Sequence, residues 1–346
     1  MTADDQTGGA DLSRAYYHDV VRPLLDARWP DLPHAAGRLG AGSDVLGLDD
    51  ATSRDHDWGL RLSLLVPEDL VGPVAAHLDA SLPPTYAGLP TRFAFTGATR
   101  AQHHIETTTL SQFLHDKLGL ADLGRLSVDD WLSLTGQSVL EVSAGPVFWD
   151  TDGTLHAARR MLAWYPHDVW AYLVASCWIQ LEEEMPLMGR AGQVGDERGS
   201  RLIGGRLALT VTRLAFLLHR TWAPYSKWLG TMFDRLPGSA AIGEHLDAAL
   251  AADHWRPRQQ HIARALDLVL ALQEQAGLPA PAPATAPFWD RPFVFPNEQI
   301  SGALLGSVTD PAVQNLPRGR GGIEQVSDNI AVLVDPAARR RMVSRV

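Results

Sequence analysis

The sequence predicts an α+β protein, with a mixed sheet and flanking helices in its N-terminal part and a helical bundle after it. Three observations lead there. Helix and strand periodicities alternate through the first 155 residues, apolar faces at helical spacing dominate from about residue 157, and a proline-rich stretch then precedes a final piece of mixed character. The expected organisation is a mixed α/β domain over 1–155, a helical domain over 156–278, and a proline-rich connector with a C-terminal extension over 279–346 that packs back on the body. A chain of 346 residues that is 45% hydrophobic and holds 11 tryptophans can bury such cores and falls outside the disordered class.

The elements follow from local spacing. Leu12, Tyr16, Val20, Leu24 and Leu25 recur at three- and four-residue intervals, a helical stripe that Pro30 and Pro33 end. Residues 34–43 are small and glycine-rich, as at a strand end running into a tight loop. Leu60, Leu62 and Leu64 alternate with Arg61 and Ser63, the period of a half-buried strand. Leu70, Val74 and Leu78 predict a helix over 68–82, and two short strands about a Gly97 turn precede another helix near Ser111–Leu120. A further strand, Val147–Trp149, closes at the Asp152-Gly153 turn. The segments ARRMLAWYPHDVWAYLVASCWIQLEEEM and RLIGGRLALTVTRLAFLLHRTW read as helices, two more lie within 244–276, and GLPAPAPATAPFWDRP is an extended connector.

Charge and composition exclude several classes. A net charge of −10 lacks the basic footprint of a protein that holds a long polyanion, which argues against a nucleic-acid partner. The single cysteine, Cys177, cannot form an intrachain disulfide and sits in an apolar helical context. With no apolar signal core near the N-terminus and no long uncharged apolar run, a cytoplasmic protein without a membrane span is expected. The sequence leaves oligomeric state open. All 30 basic residues except Lys117 and Lys227 are arginines, so each lysine draws attention as a place where an ammonium is specifically required.

The stretch richest in chemistry is Gly42-Ser43, an eleven-residue spacer, and Asp55-His56-Asp57. On a strand, Asp55 and Asp57 would share one face about 7 Å apart, and two such carboxylates call for divalent cations between them. A pair of Mg²⁺ ions suits phosphoryl or nucleotidyl transfer, while a glycine-serine corner lets backbone and hydroxyl approach phosphate at a helix start. His56 points to the other side of the strand, as a packing histidine would. His103-His104 lacks the spaced partners of a zinc site.

Small-residue strand end, Gly-Ser, spacer and Asp-x-Asp together resemble the signature of the DNA polymerase beta type nucleotidyltransferase superfamily. The wider stretch GAGSDVLGLDDATSRDHDWGLRL is similar to a family of nucleotidyltransferase-like proteins, domain of unknown function 4037. So are GPVFWDTDGTL, RMLAWYPHDVWAYLVASCWIQLEEE, APYSKWL and GGIEQVSDNIAVL. The resemblance implies a third acidic residue on a neighbouring strand. Glu106 matches it by order and context, with Asp150 and Asp152 as alternatives, although aspartate is commoner than glutamate at that place.

The expected function is therefore Mg²⁺-dependent transfer of an NMP, taken as AMP, from an NTP to a hydroxyl of a small-molecule acceptor, with release of pyrophosphate. Asp55, Asp57 and Glu106 would hold two Mg²⁺ ions, with Glu106 aiding deprotonation of the acceptor. Gly42, Ser43, Arg54 and Lys227 would contact the nucleotide, beneath a helical domain that closes the cleft. Arg54 fits loop support as well as phosphate, and Lys227 fits a surface lysine after a proline turn as well as a triphosphate contact. Arg206, Arg213 and Arg220 recur every seven residues, chiefly as a solvated helix face, and Glu182-Glu183-Glu184 form an acidic run at a helix end. A non-catalytic nucleotide-binding or regulatory protein of the same fold, or a protein AMP-transferase, are the alternatives.

Overall fold

The computed structural model describes residues 8–50, 52–54 and 58–344. Asp55, His56 and Asp57 lie outside the described residues, as does the side chain of Arg54. The chain divides into two compact units, Met1–Leu126 with Ser138–Ala163, and Ser127–Gln137 with Trp164–Val346.

The first unit is built on a four-stranded sheet. It contains β1 (Ala35–Gly37) and β2 (Arg61–Leu65) and, after a small hairpin of β3 (Thr85–Tyr86) and β4 (Leu89–Pro90), β5 (His104–Thr108) and β6 (Val147–Asp150). The order is β5-β2-β1-β6, with β5 parallel to β2 and the other neighbours antiparallel. One face is apolar: Ala36, Leu62, Leu64, Ile105 and Phe148 pack with Leu12, Tyr16, Tyr17, Val21 and Leu25 from the N-terminal helical segment. That segment runs through α1 (Gly9–Tyr16), a π-helical turn over Tyr17–Val21, and α2 (Arg22–Arg28). Val74 and Leu78 of α3 (Glu68–Ser81) complete the layer. The stripe expected over 12–29 is thus one amphipathic segment, and the β2 alternation places the leucines inward.

The loop after β1 is set by a buried ion pair. Arg38 and Asp44 have side chains 2% and 6% exposed, and the guanidinium donates from Nε and Nη2 to both carboxylate oxygens at 2.6 and 2.9 Å. Nη2 also donates to Ala41 O (2.8 Å). Gly42 has φ +148°, and a Cβ there would lie 2.2 Å from Asp44 Oδ1 and 2.4 Å from Arg38 Nη2, so only glycine fits. Successive amide bonds from Val45 to Gly42 O and from Leu46 to Ser43 O make a chain of turns. No helix begins at Ser43, which corrects the expectation of a helix start there. Asp44 follows Ser43 too closely for one: its carboxylate is drawn inward to Arg38, and glycines at 42 and 47 hold positive φ.

The second unit is helical. Its centre is α8 (His167–Gln193), with α5 (Val128–Ser133) earlier in the chain, while α4 (Leu110–Leu118), most of α6 (Gly136–Ser143) and α7 (Thr154–Met161) belong to the first unit. Trp170, Tyr172, Cys177 and Trp178 of α8 are buried, and α8 packs against α9 (Glu197–Leu218). Burial pushes the Cys177 thiol up to about 12, so the thiolate is disfavoured. α10 (Ser226–Phe233), α11 (Ser239–Ala251), α12 (Trp255–Gln275) and α13 (Glu298–Gly306) complete the main body, with a hairpin of β7 (Thr285–Pro287) and β8 (Val294–Pro296) inside the expected connector. The C-terminal segment is tied to this unit: Tyr172 donates to Pro317 O (2.7 Å), and Gln325 donates to Leu173 O (3.0 Å). Asp168, at the start of α8, accepts from the amides of Thr309 (2.7 Å) and Asp310 (2.6 Å).

Two stability predictions follow from these bonds. Asp44→Ala, which strands a buried guanidinium, is expected to cost about 3–5 kcal/mol, whereas the apolar pair Arg38→Met with Asp44→Leu costs clearly less, as thermal melts will show. The Asp310 amide, with bonds from His167 and Thr309, holds the Asp168 carboxyl down to about 2 against the opposing effect of burial. A carboxylate held below its unfolded pKa stabilises where it is ionised and loses that contribution as pH falls through the folded value. Asp168→Asn is therefore expected to lose about 1–3 kcal/mol near neutral pH and to converge on wild type between about pH 4 and about pH 2, by urea unfolding.

Candidate functional site

Most of the site residues expected from the sequence and described by the structure lie in the first unit, where β1 ends and β2 and β5 begin. The register sets Gly37, Ser63 and Glu106 in one row across three strands. Residues in a row point to the same face, and here that face is opposite the apolar layer. Ser63 Oγ stands 3.5 Å from Glu106 Oε2, and Glu106 is exposed. An exposed carboxylate beside a strand hydroxyl has an oxygen-only donor set, which suits Mg²⁺ and is free to accept a proton.

Arg61 links this row to the loop. Its guanidinium donates to Ala41 O at 3.0 Å and lies 5.3 Å above the Phe95 ring. His104 stacks on Phe95 with centroids 3.7 Å apart, and its Nε2 is 2.9 Å from Phe93 O, so it supports the strand.

Gly42 and Ser43 stand in the loop itself. Ser43 is half-buried, and among the described residues its hydroxyl has no hydrogen-bond partner. The turn spends the amides of Val45, Leu46 and Leu48 on Gly42 O and Ser43 O, while the amides of Ser43 and Asp44 are not used in it. Gly40 has φ +79°, and its amide donates to Glu141 O at 2.8 Å. A methyl carbon built on Gly40 would lie 3.6 Å from Lys117 Nζ. Lys117, near the end of α4, is 22% exposed and pairs with Glu141 Oε2 at 3.8 Å. An ammonium thus stands over the same glycine-rich turn. Sequence reasoning assigned Lys117 no role there, although its rarity as a lysine was the available signal.

The other candidates fall elsewhere. Asp150 is on β6, the edge strand opposite β5. Its side chain is 3% exposed and accepts from the His156 amide (2.9 Å) and Nδ1 (2.5 Å) in the first turn of α7. Burial would raise its pKa, but those bonds and one from the Leu155 amide hold it below the usual range. Asp150 therefore anchors α7, and Asp152 is exposed in the turn that follows. Lys227 belongs to the second unit, exposed in the first turn of α10 with Nζ 4.8 Å from the Trp228 ring. There, too, Arg206 pairs with Glu184 (3.0 Å), and Arg213 donates to Glu324 O and Asp328 Oδ1 (2.7 Å each). Arg220 lies past the end of α9 over Trp170, so the seven-residue spacing does not make one helical row. Among the described residues no three His, Cys, Asp or Glu side chains gather as a metal site, and two of the three expected metal ligands, Asp55 and Asp57, are not among those residues.

No helix among the described residues is long and apolar enough to cross a membrane. No curated protein matches the chain. A crystal structure of a nucleotidyltransferase-like protein from Exiguobacterium sibiricum 255-15 is similar over 78% of this chain and 75% of that chain, at 13% identity and a TM-score of 0.32. Residues 131–229 match the family described as Domain of unknown function (DUF4037), from α5 into α10, which bears out the resemblance on that stretch; Gly42, Ser43 and Glu106 lie outside it.

Proposed function

We propose that the chain is a nucleotidyltransferase that moves an NMP, taken as AMP, from an NTP to the hydroxyl of a small-molecule acceptor. The observation that carries this reading is the convergence in one unit of the Gly42-Ser43 turn, the Lys117 ammonium above Gly40, and the exposed Glu106 carboxylate in the row that begins at Gly37. Asp57 precedes Arg61, the first residue of β2, by four positions in the sequence.

Asp55, Asp57 and Glu106 would hold Mg²⁺, whose charge favours an ionised attacking oxygen and offsets the charge that builds on the leaving pyrophosphate. The protein's own groups do the rest. Ser43 Oγ and the loop amides donate to phosphate oxygens, and Lys117 adds a point charge beside them. Glu106 takes the proton as the acceptor oxygen bonds to the α-phosphorus. The bond from that phosphorus to the bridging oxygen breaks, and its electron pair leaves with pyrophosphate. Positioning and charge supply most of the rate in such a scheme.

Pyrophosphate release from ATP and Mg²⁺ across a panel of hydroxyl acceptors tests the proposal. Asp57→Asn is expected to lower turnover at least about 100-fold, and Lys117→Met to raise the KM for ATP about tenfold with a smaller effect on kcat. Near-normal turnover by Asp57→Asn refutes the metal-holding role. Tight Mg-ATP binding without product from any acceptor favours a nucleotide-binding protein instead.

A further inference from the structure

Two histidines of the second unit face each other across a helical hairpin. His245 is on α11 and His261 on α12, helices packed side by side and joined by the short segment around Asp253. Their Nδ1 atoms are 3.4 Å apart, with ring centroids separated by 5.5 Å and planes inclined at 45°. Both rings are half-buried, so each is held by its helix and still reached by water. Among the described residues neither ring has a further hydrogen-bond partner.

That separation is informative. The contact is within hydrogen-bonding reach when one ring carries its proton on Nδ1 and the other does not. Two imidazole nitrogens bound to one tetrahedral zinc ion, each at about 2.0–2.1 Å, stand about 3.3–3.4 Å apart. The helices already hold the two donor atoms at the spacing of a shared ion.

We propose that His245 and His261 form a binding site for a borderline transition-metal ion, Zn²⁺, that cross-links α11 and α12. Water fills the remaining coordination positions, so the ion is exchangeable. Imidazole nitrogen selects zinc, nickel or copper over Mg²⁺, which prefers oxygen. The site is therefore independent of the carboxylates proposed for nucleotidyl transfer, and Mg²⁺ does not compete for it. When bound, zinc favours the paired helices over their separated state, a linkage that raises the melting temperature.

Titration of the full chain with ZnCl₂ in excess Mg²⁺ tests this, comparing wild type with His245→Gln and His261→Gln. Either substitution is expected to weaken one zinc site by at least about tenfold, because two-point attachment becomes one-point. It should also abolish the zinc-induced rise in melting temperature. Equal zinc affinity in wild type and both variants, as scattered surface histidines would produce, overturns the proposal, as does absence of zinc binding to wild type. Paramagnetic Co²⁺ gives a second reading that needs no variant: NMR signals of both the His245 and His261 rings are expected to shift or broaden together at low Co²⁺, and effects on neither ring, or on other histidines first, overturn the site.

Discussion

The buried pairing of Arg38 with Asp44 shapes the loop that follows β1. Arg38 leaves β1 one residue after Gly37 and turns inward, and its guanidinium gathers Asp44 and the carbonyl of Ala41 around one planar fork. The chain between them folds tightly over that fork, so tightly that a Cβ on Gly42 would meet both partners of the pair. Ser43 is then presented at the outer side of the turn. An ion pair so deeply buried is a poor source of net stability, since both groups give up water to form it. Its effect is geometric: it fixes one shape on a glycine-rich segment that would otherwise sample many.

The sheet extends this constraint. Because β2 runs antiparallel to β1 and parallel to β5, the end of β1 and the beginnings of the other two strands meet at one end of the sheet. The inward leucines of β2 fix which face is apolar, and the register then fixes Ser63 and Glu106 on the other. A slip of one residue would exchange the faces and bury Glu106, so the packing of Leu62 and Leu64 against the N-terminal helical segment is also what keeps that carboxylate outside.

Much of this was legible in the sequence, and the parts that were not have physical causes. Alternation in β2 and the stripe from Leu12 to Leu25 are short-range patterns that survive any tertiary arrangement. Glu106 was singled out by the resemblance, which implies a third acidic residue on a neighbouring strand, and β5 does lie beside β2. The Arg38–Asp44 pair was hidden because charged residues in a loop usually face water, and nothing local says that two of them turn inward. Lys117 joins the loop only through the packing of α4, a contact 77 residues along the chain from Gly40 that no spacing rule reaches. Arg220 misled for the opposite reason: the seven-residue interval is regular, but α9 stops at Leu218 and Arg220 adopts φ +49°. Asp150 resembled a catalytic acid by its place at a strand end, and the same place makes it available to the first turn of α7.

The most direct test of the central claim is a crystal structure of the chain with a non-hydrolysable ATP analogue and Mg²⁺. The triphosphate is expected against Ser43 with Lys117 Nζ at hydrogen-bonding distance from a phosphate oxygen, and Mg²⁺ between that triphosphate and the carboxylates of Asp55 and Asp57. A nucleotide bound elsewhere, with the Gly42-Ser43 turn covered by side chains and Lys117 still paired with Glu141, would contradict it.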